Sequence, residues 1–422
     1  MNHPVAHIHP SPGSPADLSR RRLLQRAFQT AGVLAFAGMA TACSSGTSAA
    51  TGSPPDGGPG GPGGGGPGGG SQTLDEFVGV TTDGIVIEDL YAIRSTGVTT
   101  EPVRTAAAAY LAALSTEQRT ASVFPIPPES AATDEFRLWS NVDGYERQGV
   151  SLADLTDQQK TLALAILAAG LSARGLTTSE TIRKLNTVAG ELVSRPEQFN
   201  EDLYYFSFLG EPSPTEPWGW QFEGHHLVLN YFVLGDQVVM TPSFYGTEPR
   251  TGGGLSAFDD ELAAGIALIT SLDADQQAKA IVAADKTGDD NVAEAFGDNT
   301  QVAYQGILAT ELTAAQQEAL FAFVALFVHE DDGHAALHMA DIRAQLDQTW
   351  FSWVGGTAED SVFYARVQSP VVLLQFDCQG PGPIGQGSGV DGVTRNHIHA
   401  IIRTPNGNDY GKDLLALHLA SG

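Results

Sequence analysis

"LTDQQKTLALAILAAGLSAR" (Leu155–Arg174) and "LTAAQQEALFAFVALFVH" (Leu312–His329) open in the same way. In each, a leucine precedes a threonine, and a glutamine follows the threonine by three residues. The threonine oxygen can accept from a free N–H of the first helical turn while the glutamine reaches back to the cap's own N–H. The leucine is placed as a hydrophobic staple. Two further segments, Leu114-Ser-Thr-Glu-Gln118 and Leu272-Asp-Ala-Asp-Gln276, carry the same signature. Leu114 and Leu155 are 41 residues apart, and Leu272 and Leu312 are 40 apart. The apolar runs Thr161–Arg174 and Glu318–His329 read as the helices that follow.

The echo continues downstream. Phe206-Ser-Phe-Leu-Gly210 is answered by Phe351-Ser-Trp-Val-Gly355, the apolar run His226–Leu234 by Pro370–Phe376, and Val238-Val-Met-Thr-Pro242 by Ile401-Ile-Arg-Thr-Pro405. This collinear order predicts an α+β fold of two similar halves, about 100–250 and 258–422, related by internal duplication. Each half is two capped helices followed by a β-hairpin, with the sheets paired and the helices outside. Short capping boxes and Val/Ile strands also recur in unrelated α+β chains, which is the plainer reading of the same matches. An interface between two halves is a favoured place for a site.

Outside this region the chain reads as a leader and a tether. Ser19-Arg20-Arg21-Arg22-Leu23-Leu24 looks like a twin-arginine export signal, and the apolar stretch Thr30–Ala42 is too short for a permanent bilayer span. Ala40-Thr41-Ala42 fits a cleavage site, and Cys43 directly after it fits a lipid acceptor; an ordinary cleaved signal is the alternative. Residues 1–42 are thus expected to be a signal peptide and 43–73 a Gly/Pro-rich disordered tether, leaving 74–422 as one large domain. The resulting location is extracytoplasmic, as a surface lipoprotein or a secreted protein. The formal charge of −27 argues against nucleic acid as a partner and leaves a lipid on Cys43 as the only membrane contact. With Cys43 lipidated, Cys378 is the one thiol left, so no internal disulfide forms; it reads as a small buried apolar residue.

The chemistry is carried by histidines. His7-Ile-His9 falls in the leader, but "NHIHAIIR" (Asn396–Arg403) reads as a strand. Alternation places His397, His399, Ile401 and Arg403 on one face and Ile398, Ala400 and Ile402 on the other, a core face. Two imidazoles in parallel can chelate one metal ion. "WGWQFEGHH" supplies Glu223, His225 and His226 at the matching point of the first half, where one of the two histidines can join the pair. The bland reading makes all of them core histidines bonded to backbone or to acids. In "TPNGNDYGKD", Asp409, Tyr410 and Lys412 follow turn chemistry and are candidate substrate-binding residues at a pocket mouth, or plain turn residues. Trp220 could stack on a flat ligand, though tryptophans there are more often core. His329-Glu-Asp-Asp-Gly-His334, with His338, resembles the zinc motif of dipeptidyl peptidase III; the Gly333 interruption and the missing second acidic motif argue against it. There is no phosphate-binding glycine loop, nucleophile elbow or dinucleotide fingerprint.

At "WGWQFEGHHLVLN", "GHAALHMADIRAQLDQTWFSWVGG" and "NHIHAIIRTPNGNDYGKDLL" the chain resembles a bacterial family catalogued as domain of unknown function 3500. The resemblance implies that His225, His226, His334, His397 and His399 belong to the family pattern, with His334 a contributor, and that His329 and His338 do not. It also implies export, but no settled activity. Together these readings predict an exported, metal-dependent enzyme of hydrolytic type acting on a small molecule. His397, His399 and His225 or His226 would hold a Zn²⁺-like ion, Glu223 would act as general base, and Arg403 would bind an anion or oxyanion. The alternative is a non-catalytic lipoprotein that binds a small ligand or a metal.

Overall fold

The computed structural model describes residues 74–126, 135–382, 384–385 and 392–421. The leader, Cys43 and the tether lie outside the described residues. Among the described residues no helix is long and apolar enough to cross a membrane.

The first half runs through α1 (Glu101–Ala113), α2 (Thr116–Ser122), β1 (Val123–Phe124), β2 (Val150–Ser151), α3 (Asp157–Gly170) and α4 (Ala173–Val193). It continues through β3 (Tyr204–Leu209), β4 (Trp218–Gly224), β5 (Leu227–Leu234), β6 (Gln237–Val239) and β7 (Ser243–Thr247). A small hairpin of β8 (Thr251–Gly252) and β9 (Leu255–Ser256) leads to the second half. That half comprises α5 (Asp259–Ser271), α6 (Ala274–Ala280), β10 (Ile281–Ala283), β11 (Ile307–Leu308), α7 (Ala314–Ala325) and α8 (Asp332–Arg343). It ends with β12 (Trp350–Gly355), β13 (Phe363–Gln368), β14 (Leu373–Cys378), β15 (Ile398–Arg403) and α9 (Lys412–Ser421). The α+β class expected from the sequence is therefore the observed one.

All four capping boxes form: Ser115/Gln118, Thr156/Gln159, Asp273/Gln276 and Thr313/Gln316 each satisfy both end groups. The two boxes of each half also join. Gln159 Nε2 donates to Gln118 Oε1 at 2.8 Å, and Gln316 Nε2 to Gln276 Oε1 at 2.8 Å. The long apolar runs are shorter as helices than expected. α3 stops at Gly170 because Leu171 is extended and Ser172 caps α4, accepting from Gly175 N. α7 stops at Ala325, and Asp331 caps α8.

Among the described residues, thirteen strands form one mixed sheet with the path β1-β3-β4-β5-β7-β15-β14-β13-β12-β10. The halves carry the same pairings: β1 and β10 lie parallel to β3 and β12, and β2 and β11 lie antiparallel to the same two strands. Even the register repeats, Val150 opposite Phe206 and Ile307 opposite Phe351. β7 and β15 pair antiparallel and join the halves.

The two faces of the sheet differ in chemistry. One carries Phe206, Trp220, Tyr231, Trp353, Phe376 and Ala400, packed under Ile166, Leu167, Leu320 and Phe323 of the helices in a single apolar core. The other carries Gln221, Glu223, Asn230, Gln375, Asp377, His399 and Arg403, all buried. Buried polar groups need partners, and two inter-strand connections supply them. Gln221 Nε2 donates to Phe136 O, Arg403 Nε to Ala293 O, and Val292 N to Gln375 Oε1. The alternation expected for β15 is observed, with Ile398, Ala400 and Ile402 in the helix-side core.

Candidate metal centre

Three histidines meet where β5, β7 and β15 adjoin. Gly224 pairs with Leu227, so His225 and His226 form the tip of the β4–β5 hairpin. His226 sits there at φ 63°, a left-handed conformation uncommon for a residue with a side chain. It is pinned on both sides: its N–H donates to Asn141 O at 3.0 Å and its carbonyl accepts from Gly246 N at 2.7 Å. Gly246 is also opposite His399 in the ladder, and a Cβ on it would stand 3.1 Å from His399 Cδ2 and 2.9 Å from Ile398 O. The missing side chain is what lets the His399 ring lie across β7.

The hydrogen bonds decide where the ring protons are. His397 Nδ1 faces the Gly380 carbonyl at 2.6 Å, and His399 Nδ1 faces Glu294 Oε1 at 3.0 Å. Both partners accept only, so both Nδ1 atoms carry hydrogen and donate. The two Nε2 atoms are then left pointing at each other, 3.1 Å apart. Two lone pairs at that distance repel unless a cation lies between them, either a proton or a metal ion. Adjacent nitrogens on a tetrahedral zinc with bonds of 2.0–2.1 Å stand about 3.3 Å apart, so the pair already has the bite of a chelate. His226 completes the group: the ligand atoms of His226, His397 and His399 all lie within 4.8 Å of one another. The three-histidine group therefore has the geometry to hold a metal ion.

Electrostatics agree with ligation. Burial, then the charges of neighbouring histidines, pushes the His226 imidazole well below its ordinary range. Burial likewise pulls His397 down to about 3, with His399 adding to the shift. Neutral rings keep the lone pairs that a metal requires. Burial works to raise the Glu294 carboxyl, but the charge and hydrogen bond of His399, with Asn291, outweigh it and hold the group below its usual value. A carboxylate behind a ring N–H fixes the tautomer and orientation of a ligand histidine.

Of the two adjacent histidines, His226 joins the group and His225 supports it. The His225 ring stacks on His226 at 3.9 Å between centroids, and its Nδ1 donates to Asn186 Oδ1 at 2.8 Å. Glu223 shares the polar face but lies on β4, three strand spacings from β15, or about 14 Å at the backbone. Its Oε2 accepts from Ser140 N at 3.3 Å and faces Arg147 Nε at 3.6 Å, and burial raises its carboxyl to about 7. A nearer carboxylate is Glu248, just after β7. It accepts from the N–H groups of Gly382, Ile384 and Gly385 at 2.9, 3.3 and 3.1 Å. A Cβ on Gly382 would stand 2.7 Å from Glu248 Oε2 and 3.2 Å from His397 Cε1, so carboxylate and ring both close on that glycine.

Several expected site residues serve the scaffold instead. Arg403 is fully buried, with Nε and Nη2 donating to the carbonyls of Ala293 and Glu294 and Nη1 to Asp298 and Asp409. No donor is directed at a substrate; the guanidinium pins the segment that carries Glu294. Asp409 also accepts from Thr404 N, Tyr410 donates to Asp298, and the Lys412 ammonium lies 5.0 Å from the centre of the Phe77 ring, so these three are buried and line no mouth. Trp220 is core, stacked on Tyr231 at 4.7 Å. His334 bonds Asp331 and the Asp236 carbonyl and has no contact with the three histidines. Cys378 is free and buried, and burial lifts its thiol to about 11.

Sequence reasoning missed Glu294 and Glu248. Each sits in a connection without periodicity, more than a hundred residues from the strand or loop it serves, and nothing local marks it.

The fold is that of a mixed α/β protein, with a polar sheet face closed by connecting loops and three convergent imidazoles that could hold a metal ion where β5, β7 and β15 adjoin. The family described as "Protein of unknown function (DUF3500)" matches residues 96–412, and the chain belongs to that family. No curated protein and no solved structure matches the chain.

Proposed function

We propose that this chain is an exported metalloenzyme that holds one divalent ion, Zn²⁺ by its all-imidazole donor set, on His226, His397 and His399, and that it hydrolyses a small molecule. The observation that carries the reading is the pair of Nε2 atoms 3.1 Å apart behind two committed Nδ1–H groups, with His226 beside them. A divalent ion on three neutral imidazoles with a fourth position for water supplies Lewis acidity and brings the pKa of that water toward 7. The chain's own residues do the rest. Gly380 O and Glu294 hold the protons on the far side of the two rings. Glu248 is the group placed to take up a proton: burial, against its three backbone hydrogen bonds, raises its carboxyl above the ordinary range, toward the region where it can both accept and release one.

The burial of all three rings favours a second reading, a protein that holds a metal or small ligand without turnover. The test is to load the protein with Zn²⁺ and offer an aryl ester, an aryl phosphate and an anilide. Hydrolysis of one class, falling roughly 100-fold or more in Glu248→Gln with metal content intact, supports the enzyme. Stable metal with no turnover of any class supports the binding reading. Export through Arg20–Arg21 and a lipid on Cys43 belong to the same proposal; fatty-acid labelling that disappears in Cys43→Ala tests the anchor.

A further inference from the structure

A cavity of about 230 Å³ shares no residue with the three-histidine group. It lies between the strap Leu90–Thr96, β6, α8 and the segment from Thr404 to Leu414. At about 30 Å³ per water, it has room for a body of roughly eight non-hydrogen atoms. Its walls are mixed: Leu90, Tyr91, Val239, Met240, Leu337 and Leu414 give apolar surface, and polar side chains of the strap, β6 and α8 stand among them. Apolar surface combined with fixed polar groups in one concave space is what a small-molecule site needs.

The polar groups are not equally available. Both ring nitrogens of His334 are used, on Asp331 and on the Asp236 carbonyl. Tyr91 donates its hydroxyl to Pro405 O, and Gln237 is bonded to the backbone of Ala92 and Arg94. Arg94 and Asp341 pair with each other at 2.7 Å, half-exposed at the rim. His338 differs. Its Nδ1 faces Glu330 Oε1 at 2.8 Å, and that carboxylate is buried. With Nδ1 held, Nε2 is the atom that the part-exposed ring can offer to the cavity. The buried Glu330 carboxylate facing Nδ1 favours the imidazolium: burial lowers the ring's proton affinity, but the charge and hydrogen bond of Glu330 outweigh it and raise it above its ordinary value, toward the form in which Nε2 also carries hydrogen and donates.

We propose that this cavity is a second binding site, for a small molecule with an apolar body and a hydrogen-bond-accepting head, a carboxylate or a carbonyl, anchored by Nε2–H of the His338–Glu330 pair. The proposal stands whether or not the three-histidine centre turns over substrate.

The probes are benzoate, benzamide and benzylamine, titrated into the full, metal-loaded chain while the His338 ring nitrogens are followed by NMR. Benzoate or benzamide should shift the His338 Nε2 resonance saturably, and benzylamine should not. His338→Leu removes the donor and should weaken binding roughly tenfold or more, the value of a hydrogen bond to a charged group. Because that variant also strips a buried carboxylate of its partner, Ala344→Trp is the companion. Ala344 lines the cavity from the exposed end of α8, so a tryptophan blocks the space without entering the core. It should abolish the shift while thermal stability is kept. The two acceptor probes tell a carboxylate site from a carbonyl site. No saturable shift with either acceptor, equal binding of benzylamine, or full binding in Ala344→Trp would overturn the proposal.

Discussion

Replacing Glu294 by glutamine separates a metal centre from a cluster of core histidines. Glu294 Oε1 accepts from His399 Nδ1 at 3.0 Å and from Asn291 Nδ2 at 2.8 Å. Glutamine keeps an oxygen for both donors and nearly the same shape, so the fold is preserved and only the charge is lost. A hydrogen bond to an ionised acceptor is worth about 1.5–3 kcal/mol and a neutral one about 0.5–1.5. The difference, about 1–1.5 kcal/mol, falls on the basicity of His399 Nε2, and every 1.4 kcal/mol is tenfold in Kd. The expected result is Zn²⁺ binding weakened about tenfold, at the lower end of the 10–100-fold span for such supporting groups. The assay is competition against a chelator of known affinity, at fixed pH, with thermal melting of the metal-free protein as control. A Kd within about twofold of wild type would refute the argument that Glu294 orients a ligand.

Other outcomes follow from the buried charges and the caps. Arg403→Leu removes the cation paired with buried Asp409 and leaves Asp298 with Arg137 and Tyr410, and should cost about 3–5 kcal/mol in denaturant unfolding; a loss under about 1 kcal/mol would show that the guanidinium is dispensable. Glu223 has a folded pKa of about 7 against 4.5 unfolded, so the unfolded state loses its proton first and stability falls as pH rises from 4.5 to 7, on the order of 3 kcal/mol. Glu223→Gln should therefore flatten that slope and be the more stable form at pH 8. His329 has the opposite sign: burial lowers it to about 4, so its contribution is intact above pH 6.5 and is lost as pH falls toward 4, by about 1.4 kcal/mol per unit. Melting His329→Phe across that window should show a shallower acid limb. Thr156→Ala and Thr313→Ala each remove an N-cap oxygen and should cost about 1 kcal/mol; equal losses at the two matched positions are expected in chemical denaturation.

Local rules were legible where they act over a few residues. The four capping boxes form because cap and glutamine lie in one turn, and the faces of β15 follow from simple alternation. His397 and His399 were readable for the same reason, being neighbours on one strand face. The helix breaks at Leu171 and before Asp331 were less plain, because apolar composition continues through Leu171 while the backbone does not. The role of Arg403 was misread since its partners Asp298, Ala293 and Glu294 come from a distant connection, and an arginine on a strand face looks the same whether it faces substrate or four acceptors. Glu248 reaches the centre through the β7–β15 junction and Glu294 through the β10–β11 connection, both long-range contacts without a local signal.

The central claim is that a metal ion, rather than a proton, lies between the imidazoles. Elemental analysis of the folded chain beside a His397→Ala/His399→Ala double variant tests it most directly. About one divalent ion per chain is expected in the wild type and none in the variant. Absence of metal from both, after exposure to zinc, iron, manganese and copper, would contradict it and leave a shared proton as the cation at the seam.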